Sequence, residues 1–327
     1  MDILQHMHNH RICVAPMMDR TDRHERYFLR LISRRAFLYT EMVTANAVLF
    51  GDSERVYGFS SVEHPVALQL GGSDPMALGE AAACGADAGY DEINLNVGCP
   101  SERVSAARFG ACLMAEPKVV ASCVDAMCKQ VAVPVTVKTR IGIDDNASYS
   151  NLAWFVQTVA DAGCQTFIIH ARKAILSGVS PKENLNIPPL KYDFVYRLKN
   201  DFPELEVVLN GGVLDLDAAC RHLSYVDGVM IGRAAYKDPY LLANVDQRFY
   251  EESSPPPSRD QVLDNLKPYI SDWLKRGVRL SCITRHIMGL FHGQPHGRAW
   301  RRVLGDGAFQ RGADISLIDK AMAELTL

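Results

Sequence analysis

The chain has 327 residues, 48% hydrophobic and 22% charged, with a formal net charge of −3. Those proportions suit a globular protein with an ample core; they exclude a disordered chain, a disulfide-stapled miniature and a uniformly basic nucleic-acid binder. The nine cysteines are dispersed, with no C-x-x-C pair, which argues against a zinc ribbon, an iron–sulfur cluster or another bound metal and points to buried thiols in a reducing compartment.

The first residues, MDILQHMHNHRICVAPMMDR, hold no basic region followed by a long apolar run. No later stretch is long enough to span a bilayer, so the expectation is a cytoplasmic protein without a membrane partner. Short runs rich in β-branched residues then recur: ICVAPM (12–17), FLYTEMV (37–43), PVALQL (65–70), EINLNV (92–97), PVTVKTR (134–140), TFIIHA (166–171), EVVLNG (206–211) and DGVMIG (227–232). The intervals are long enough for crossover helices. The first, DRTDRHERYFLRLISRR, interleaves Arg20, Arg23, Arg26 and Arg30 with acids and reads as a solvated helix face. In DPMALGEAAACGADAG, Pro75 suits an early helical position and Gly89 a terminating turn. PKVVASCVDAMCKQV carries apolar residues at helical spacing.

Eight such units over about 240 residues predict an α/β protein with a closed (β/α)8 TIM barrel. A doubly wound sheet would also alternate, but its G-x-G-x-x-G is missing: Pro16-Met17-Met18-Asp19 follows the first strand. After Leu242 the character changes. EESSPPPSRDQ reads as a linker, and RDQVLDNLKPYISDWLKRGV, RLSCITRHIMGLFHG and GRAWRRVLGDG have helical spacing. The expected division is a barrel over 1–245 and a small all-helical domain over 246–327. Between Trp273 and Gly305 that domain carries seven Lys or Arg and no Asp or Glu. An acidic chain can still present such a basic face to a polyanion.

Barrel active sites lie at the C-terminal ends of the strands. Here those ends carry Pro16, Met17 and Met18, then Gln69, Asn96 with Cys99, Lys138 with Arg140, and His170 with Arg172 and Lys173. Asn210-Gly211-Gly212 and Gly232-Arg233 close the series. A structural ion pair would explain one Lys and one His; so many polar strand ends favour a site. The two glycine pairs are either plain turns or a phosphate cradle after the seventh and eighth strands, where Arg233 would pair with the phosphate. A phosphate there lays its cofactor across the mouth. Lys138 beside an electron-rich ring edge, Gln69 at a donor–acceptor edge and Met17 on the ring are the needs of a flavin, and a single phosphate suits FMN. Cys99, between Gly98 and Pro100, is then a thiol held in place and able to donate a proton to carbon, or otherwise one more buried cysteine. Cys112, in FGACLM, reads as structural.

At these residues the chain resembles the bacterial tRNA-dihydrouridine synthases, and among them the A subfamily. APMMDRTDRHERYFLR, LYTEMVTANAVLFGD, GYDEINLNVGCPSERV, FIIHARKAILSGVSPKENLNIPPL, VVLNGGV and DGVMIGRAAYKDPYLL carry the resemblance, which spans nearly the whole chain. It implies an FMN-binding barrel with a helical tRNA-binding domain. NADPH would reduce FMN, a hydride would pass to C6 of a uracil in the D-loop around positions 20 and 20a, and Cys99 would protonate C5. By position, Pro16, Met17, Met18, Gln69, Lys138, His170, Asn210, Gly211, Gly212, Gly232 and Arg233 would hold FMN, with His170 near the flavin tail. Asn96 would contact the uracil, Arg140 the flavin edge or the base, and Arg172 and Lys173 would begin a loop closing over RNA. Arg285, Arg298 and Arg301 are expected among the tRNA contacts, and His292 and His296 depart from the expected pattern. The protein is expected to act as a monomer. Two other readings remain open at this stage. One is an FMN barrel acting on a free pyrimidine or dihydroorotate. The other is an RNA-binding protein that keeps the barrel only as a scaffold.

Overall fold

The alternating segments form nine short strands in the computed structural model, which describes residues 10–325. They are β1 (Ile12–Val14), β2 (Leu38–Tyr39), β3 (Val43–Thr44), β4 (Val66–Gly71), β5 (Glu92–Val97), β6 (Val135–Arg140), β7 (Thr166–His170), β8 (Glu206–Asn210) and β9 (Gly228–Ile231). All neighbours are parallel, in the order β1-β9-β8-β7-β6-β5-β4-β2, and β3 forms a second ladder on β4. A bridge between Cys13 and Phe37 joins the two ends, with N–H···O distances of 2.9 Å in both directions. The result is the expected (β/α)8 barrel.

The run over 37–43 is one stave split in two, and Thr40 is the reason. Its hydroxyl accepts the Gln69 N–H at 2.9 Å and donates to the Glu41 carbonyl at 2.7 Å. A side chain thus fills the rung between β2 and β3.

Period-two alternation sorts the strand side chains. Ile93, Leu95 and Val97 of β5, with Val135 and Val137 of β6, join the apolar layer beneath the helices. The inward side chains divide into two halves. Cys13, Phe37, Tyr39, Ala67, Ile168, Val208 and Met230 form an apolar interior cluster. Across from it Gln69, Glu92, Asn94, Asn96, Thr136 and Arg140 are polar and buried. At the floor, His10 bridges Glu92 at 2.6 Å and Glu206 at 2.9 Å. Burial alone would strip the imidazole of its proton; the two carboxylates outweigh it and raise the pKa from 6.5 to about 10.

The helices begin as their sequences direct. Helix Pro75–Asp87 starts on Asp74, whose side chain accepts the Ala77 N–H, and Gly89 follows its end at φ 98°. The first crossover, helix Arg23–Ile32, departs from expectation. It is not a solvated face, because it is packed between the barrel and the C-terminal helices: His24, Glu25, Arg26 and Arg30 are buried. Arg26 Nε bonds Glu63 at 2.7 Å, and Arg30 Nη2 donates to the carbonyls of Glu63 at 3.0 Å and Pro65 at 2.9 Å. Tyr27 stacks on Tyr269 with ring centroids 3.9 Å apart. The interleaved acids and bases satisfy one another and nearby carbonyls across packed elements rather than meeting water.

The position expected to divide the chain, 245, opens helix Val245–Tyr250. This helix stays with the barrel: the Tyr250 hydroxyl accepts the Ile12 N–H at 3.2 Å, and Asp246 accepts from Ser33, Arg34 and Arg35. The polar stretch follows. Then come helices Arg259–Lys275, opened by a Ser258–Gln261 capping box, Leu280–Ile287, Gly297–Gly307 and Ser316–Ala323. Trp300 is fully buried among them and donates Nε1–H to the Ile287 carbonyl at 3.2 Å. No helix of the described residues is long and apolar enough to cross a membrane.

The floor predicts a pH response. Folded His10 holds its proton more tightly than unfolded His10, so its contribution is complete below pH 6.5 and is lost as pH rises through about 10. His10→Gln should cost about 3–5 kcal/mol at neutral pH, since two carboxylates stay behind. In thermal melts, wild type should lose its advantage over the variant as pH rises across that window.

Candidate active site

The strand ends gather the site at one end of the barrel. On β5, Asn96 accepts the backbone N–H groups of Gly98 at 3.1 Å and Cys99 at 3.0 Å. The Cys99 carbonyl receives the Ala111 N–H at 2.9 Å. Arg140 of β6 donates Nε–H to the Gly98 carbonyl at 2.9 Å. The Cys99 turn is therefore tied from three sides, and the residue is half-buried. Cys112 is half-buried and donates its thiol proton to the Phe109 carbonyl at 3.1 Å.

Lys138 lies beside Asn96 in register, and Arg140 beside His170. Lys138 Nζ donates to Asn210 Oδ1 at 3.1 Å, and Asn210 Nδ2 donates to the Met230 carbonyl at 2.8 Å. Burial, then the neighbouring Arg140, lowers the Lys138 pKa from 10.5 to about 7. Burial also leads the lowering of Arg140 to about 10. His170 is 8% exposed, and its Nδ1 has no hydrogen-bond partner among the described residues. Burial, followed by Arg140, Lys138, Arg172 and Arg233, drives its pKa well below the ordinary value, so the imidazole is neutral. Among the described residues none of Lys138, Arg140, His170, Arg172, Lys173 and Arg233 pairs with a carboxylate. Bases without carboxylate partners are thus gathered at this end of the barrel.

Gly211 and Gly212 sit at φ 111° and 72°. A Cβ on Gly211 would lie 3.3 Å from His170 Nε2; one on Gly212 would lie 2.5 Å from Leu190 Cδ1 and 2.6 Å from the Tyr192 hydroxyl. Only glycine fits this bared turn. The helix after Gly232 spans only Arg233–Lys237, so attraction for an anion here rests on Arg233 and bare N–H groups. Pro16 and Met17 are half-buried beyond β1, and Met18 is exposed.

The loop after β7 ties the bases together. Arg140 Nη1 donates to the carbonyls of Lys173 at 3.1 Å and Asn184 at 3.3 Å. Arg172 donates to those of Asn186 and Pro188, and Lys173 to that of Asp144. Arg233 bonds Asn186 Oδ1 at 3.0 Å and the Leu185 carbonyl at 3.3 Å. Asn184, fully buried, and Tyr192, whose hydroxyl donates to the Gly211 carbonyl at 2.9 Å, shape the same region. None of Asn184, Asn186 and Tyr192 stood out in the sequence. The asparagines of PKENLN could have done so, set between turn residues close after a functional strand end.

The C-terminal bases are elsewhere. Arg285 and His286 both reach Asp22, at the seam with helix Arg23–Ile32. Arg298 and Arg301 are exposed on helix Gly297–Gly307 and form no ion pair among the described residues.

Fold and site together define a barrel enzyme with a thiol on a fixed turn beside bases that have no carboxylate partner among the described residues. A family model described as Dihydrouridine synthase (Dus) matches residues 13–326, and the chain belongs to that family. A protein of Synechocystis sp. named tRNA-dihydrouridine(20/20a) synthase is 55% identical over 95% of this chain and 93% of its own length. Proteins of the same name from Shewanella oneidensis and Vibrio cholerae are 55% and 53% identical over 94% and 97% of this chain, and over 92% and 97% of their own lengths. The resemblance read from the motifs is borne out. A solved 2-naphthoyl-CoA reductase complex shares the fold, with a TM-score of 0.54 at 10% identity over 72% of this chain and 50% of that one.

Gly212→Ala should destabilise the protein by about 1–3 kcal/mol, because it combines a left-handed backbone with a clash against Leu190. Chemical denaturation compared with wild type checks the loss.

Proposed function

We propose that this protein reduces uridine to 5,6-dihydrouridine in tRNA, at positions 20 and 20a of the D-loop, in the cytoplasm. The observation that carries the reading is the Cys99 thiol on a turn fixed by Asn96 and Arg140, at the rim of a mouth whose bases lack acidic partners. The names of relatives matched over nearly their whole length support the substrate and its positions.

The residues present fit FMN. His170 offers a buried nitrogen without a partner, and the Gly211–Gly212 turn is a cradle that any Cβ would fill. Asn210, Gly211, Gly212, Gly232 and Arg233 would take the phosphate, and His170 the tail. Lys138 would face the N1–C2 carbonyl edge, Gln69 the N3–O4 edge, and Pro16, Met17 and Met18 would pack near the ring. When bound, FMN reduced by NADPH supplies the hydride that adds to C6 of the uracil. Asn96 orients the base. Cys99 gives its Sγ proton to C5, which leaves a thiolate facing Arg140 and Lys138.

The helices from Arg259 onward would receive the tRNA backbone. Arg298 and Arg301 are free to meet phosphates, whereas Arg285 would exchange Asp22 for one. Arg172 and Lys173 would exchange loop carbonyls for RNA as the target base leaves its stack and enters the mouth.

Incubating an unmodified tRNA transcript with protein, FMN and NADPH should add two hydrogens at a D-loop uridine, read by mass mapping. No gain on the transcript or on tRNA lacking dihydrouridine, with faster turnover of a free pyrimidine, would reject the reading. Cys99→Ala should keep FMN and NADPH oxidation while dihydrouridine formation falls about 10²–10⁴-fold. Removing Arg298 and Arg301 should weaken tRNA binding and lower the slope of log affinity against log salt by about one per arginine, as titrations at several salt concentrations will reveal.

A further inference from the structure

The polar half of the barrel interior is one connected run of hydrogen bonds from floor to mouth. Glu92 Oε2 meets His10 Nε2 at 2.6 Å, and Glu92 Oε1 accepts from Thr136 Oγ1 at 2.6 Å. Thr136 Oγ1 accepts from Asn94 Nδ2 at 2.7 Å, and Asn94 Oδ1 accepts from Gln69 Nε2 at 2.8 Å. Gln69 Oε1 accepts from Asn96 Nδ2 at 2.8 Å, and Asn96 Oδ1 accepts the N–H groups of Gly98 and Cys99. Gln69 and Glu92 are 1% exposed, and Asn94 and Thr136 are fully buried.

Taken singly, each middle link is reversible: a hydroxyl donates or accepts, and an amide can turn over. The two ends are not. A carboxylate only accepts and a backbone N–H only donates, so every link between them is forced to run one way. The leftovers follow. Gln69 keeps one N–H and one lone pair, the complement of an N3–H and C4=O edge. Asn96 keeps one N–H and has committed its oxygen, so it meets the base as a donor.

We propose that Thr136 and Asn94 are positioning residues that carry the polarity of the Glu92 carboxylate to the amides of Gln69 and Asn96, and through Asn96 to the Cys99 turn. The functional half of this proposal rests on the flavin reading above. A reversed Asn96 amide would point N–H groups at the N–H groups of Gly98 and Cys99 and open the turn. A reversed Gln69 amide would swap donor for acceptor at the ring edge.

Thr136→Val removes the hydroxyl at nearly constant shape, and Thr136→Ser restores it. In the full chain without added flavin, the side-chain amide NMR signals of Gln69, Asn94 and Asn96 should form one slowly exchanging set in wild type and T136S. In T136V they should shift or double and exchange about tenfold faster, the upper worth of one buried hydrogen bond. With FMN bound, reoxidation by tRNA should slow about tenfold in T136V, reduction by NADPH should change less, and T136S should follow wild type. Unchanged amide signals in T136V overturn the relay. Freely exchanging or doubled amides in wild type overturn it without any variant, so the test holds even if T136V fails to fold. Altered amides with unchanged half-reactions overturn the claim that polarity reaches the chemistry. Wild-type protein that takes up no FMN, with amides behaving as described, overturns the flavin reading and leaves the relay standing.

Discussion

A closed barrel leaves its inward side chains almost no water, so each polar group there must find a partner in the protein. The rest of this structure depends on that constraint. It is met differently at the two ends. At the floor, His10 sits between Glu92 and Glu206, and a cation finds its counterions inside the protein. At the mouth, Lys138, Arg140 and Arg233 meet amides and carbonyls but no carboxylate among the described residues, and His170 Nδ1 has no hydrogen-bond partner there. The barrel thus has an electrical direction along its axis, with ion pairs at the floor and bases without carboxylate partners at the mouth.

The loop after β7 belongs to the same account. Its carbonyls take N–H groups from Arg140, Arg172 and Arg233. Such bonds to neutral oxygen are weaker than bonds to a phosphate or carboxylate oxygen. The arginines are held in place without being neutralised.

Much of this was legible in the sequence because strands and their ends leave local marks. EINLNV and PVTVKTR alternate polar and apolar residues, and Asn96, Lys138 and Arg140 fall where a barrel puts its chemistry. NGG after β8 announced a turn that only glycine fits. What escaped depends on contacts distant in sequence. Arg26 and Arg30 look like surface residues until Glu63 and the carbonyl of Pro65 are brought to them from more than thirty positions away. Nothing local marks His10 as the partner of Glu92 and Glu206, which lie 82 and 196 positions on. The split of the second stave turns on a single hydroxyl, Thr40, replacing a backbone rung. Periodicity reports which way a side chain points; it does not report what waits for it there.

The placement of helix Arg23–Ile32 has a consequence for how the molecule holds together. The proline-rich stretch before Arg259 reads as a linker, yet the helix beneath the C-terminal bundle buries His24 and Glu25 and stacks Tyr27 on Tyr269. Peeling the bundle away would strip cover from those groups, including a carboxyl whose pKa burial pushes upward. The linker is thus a covalent tether across a seam that packing has already closed.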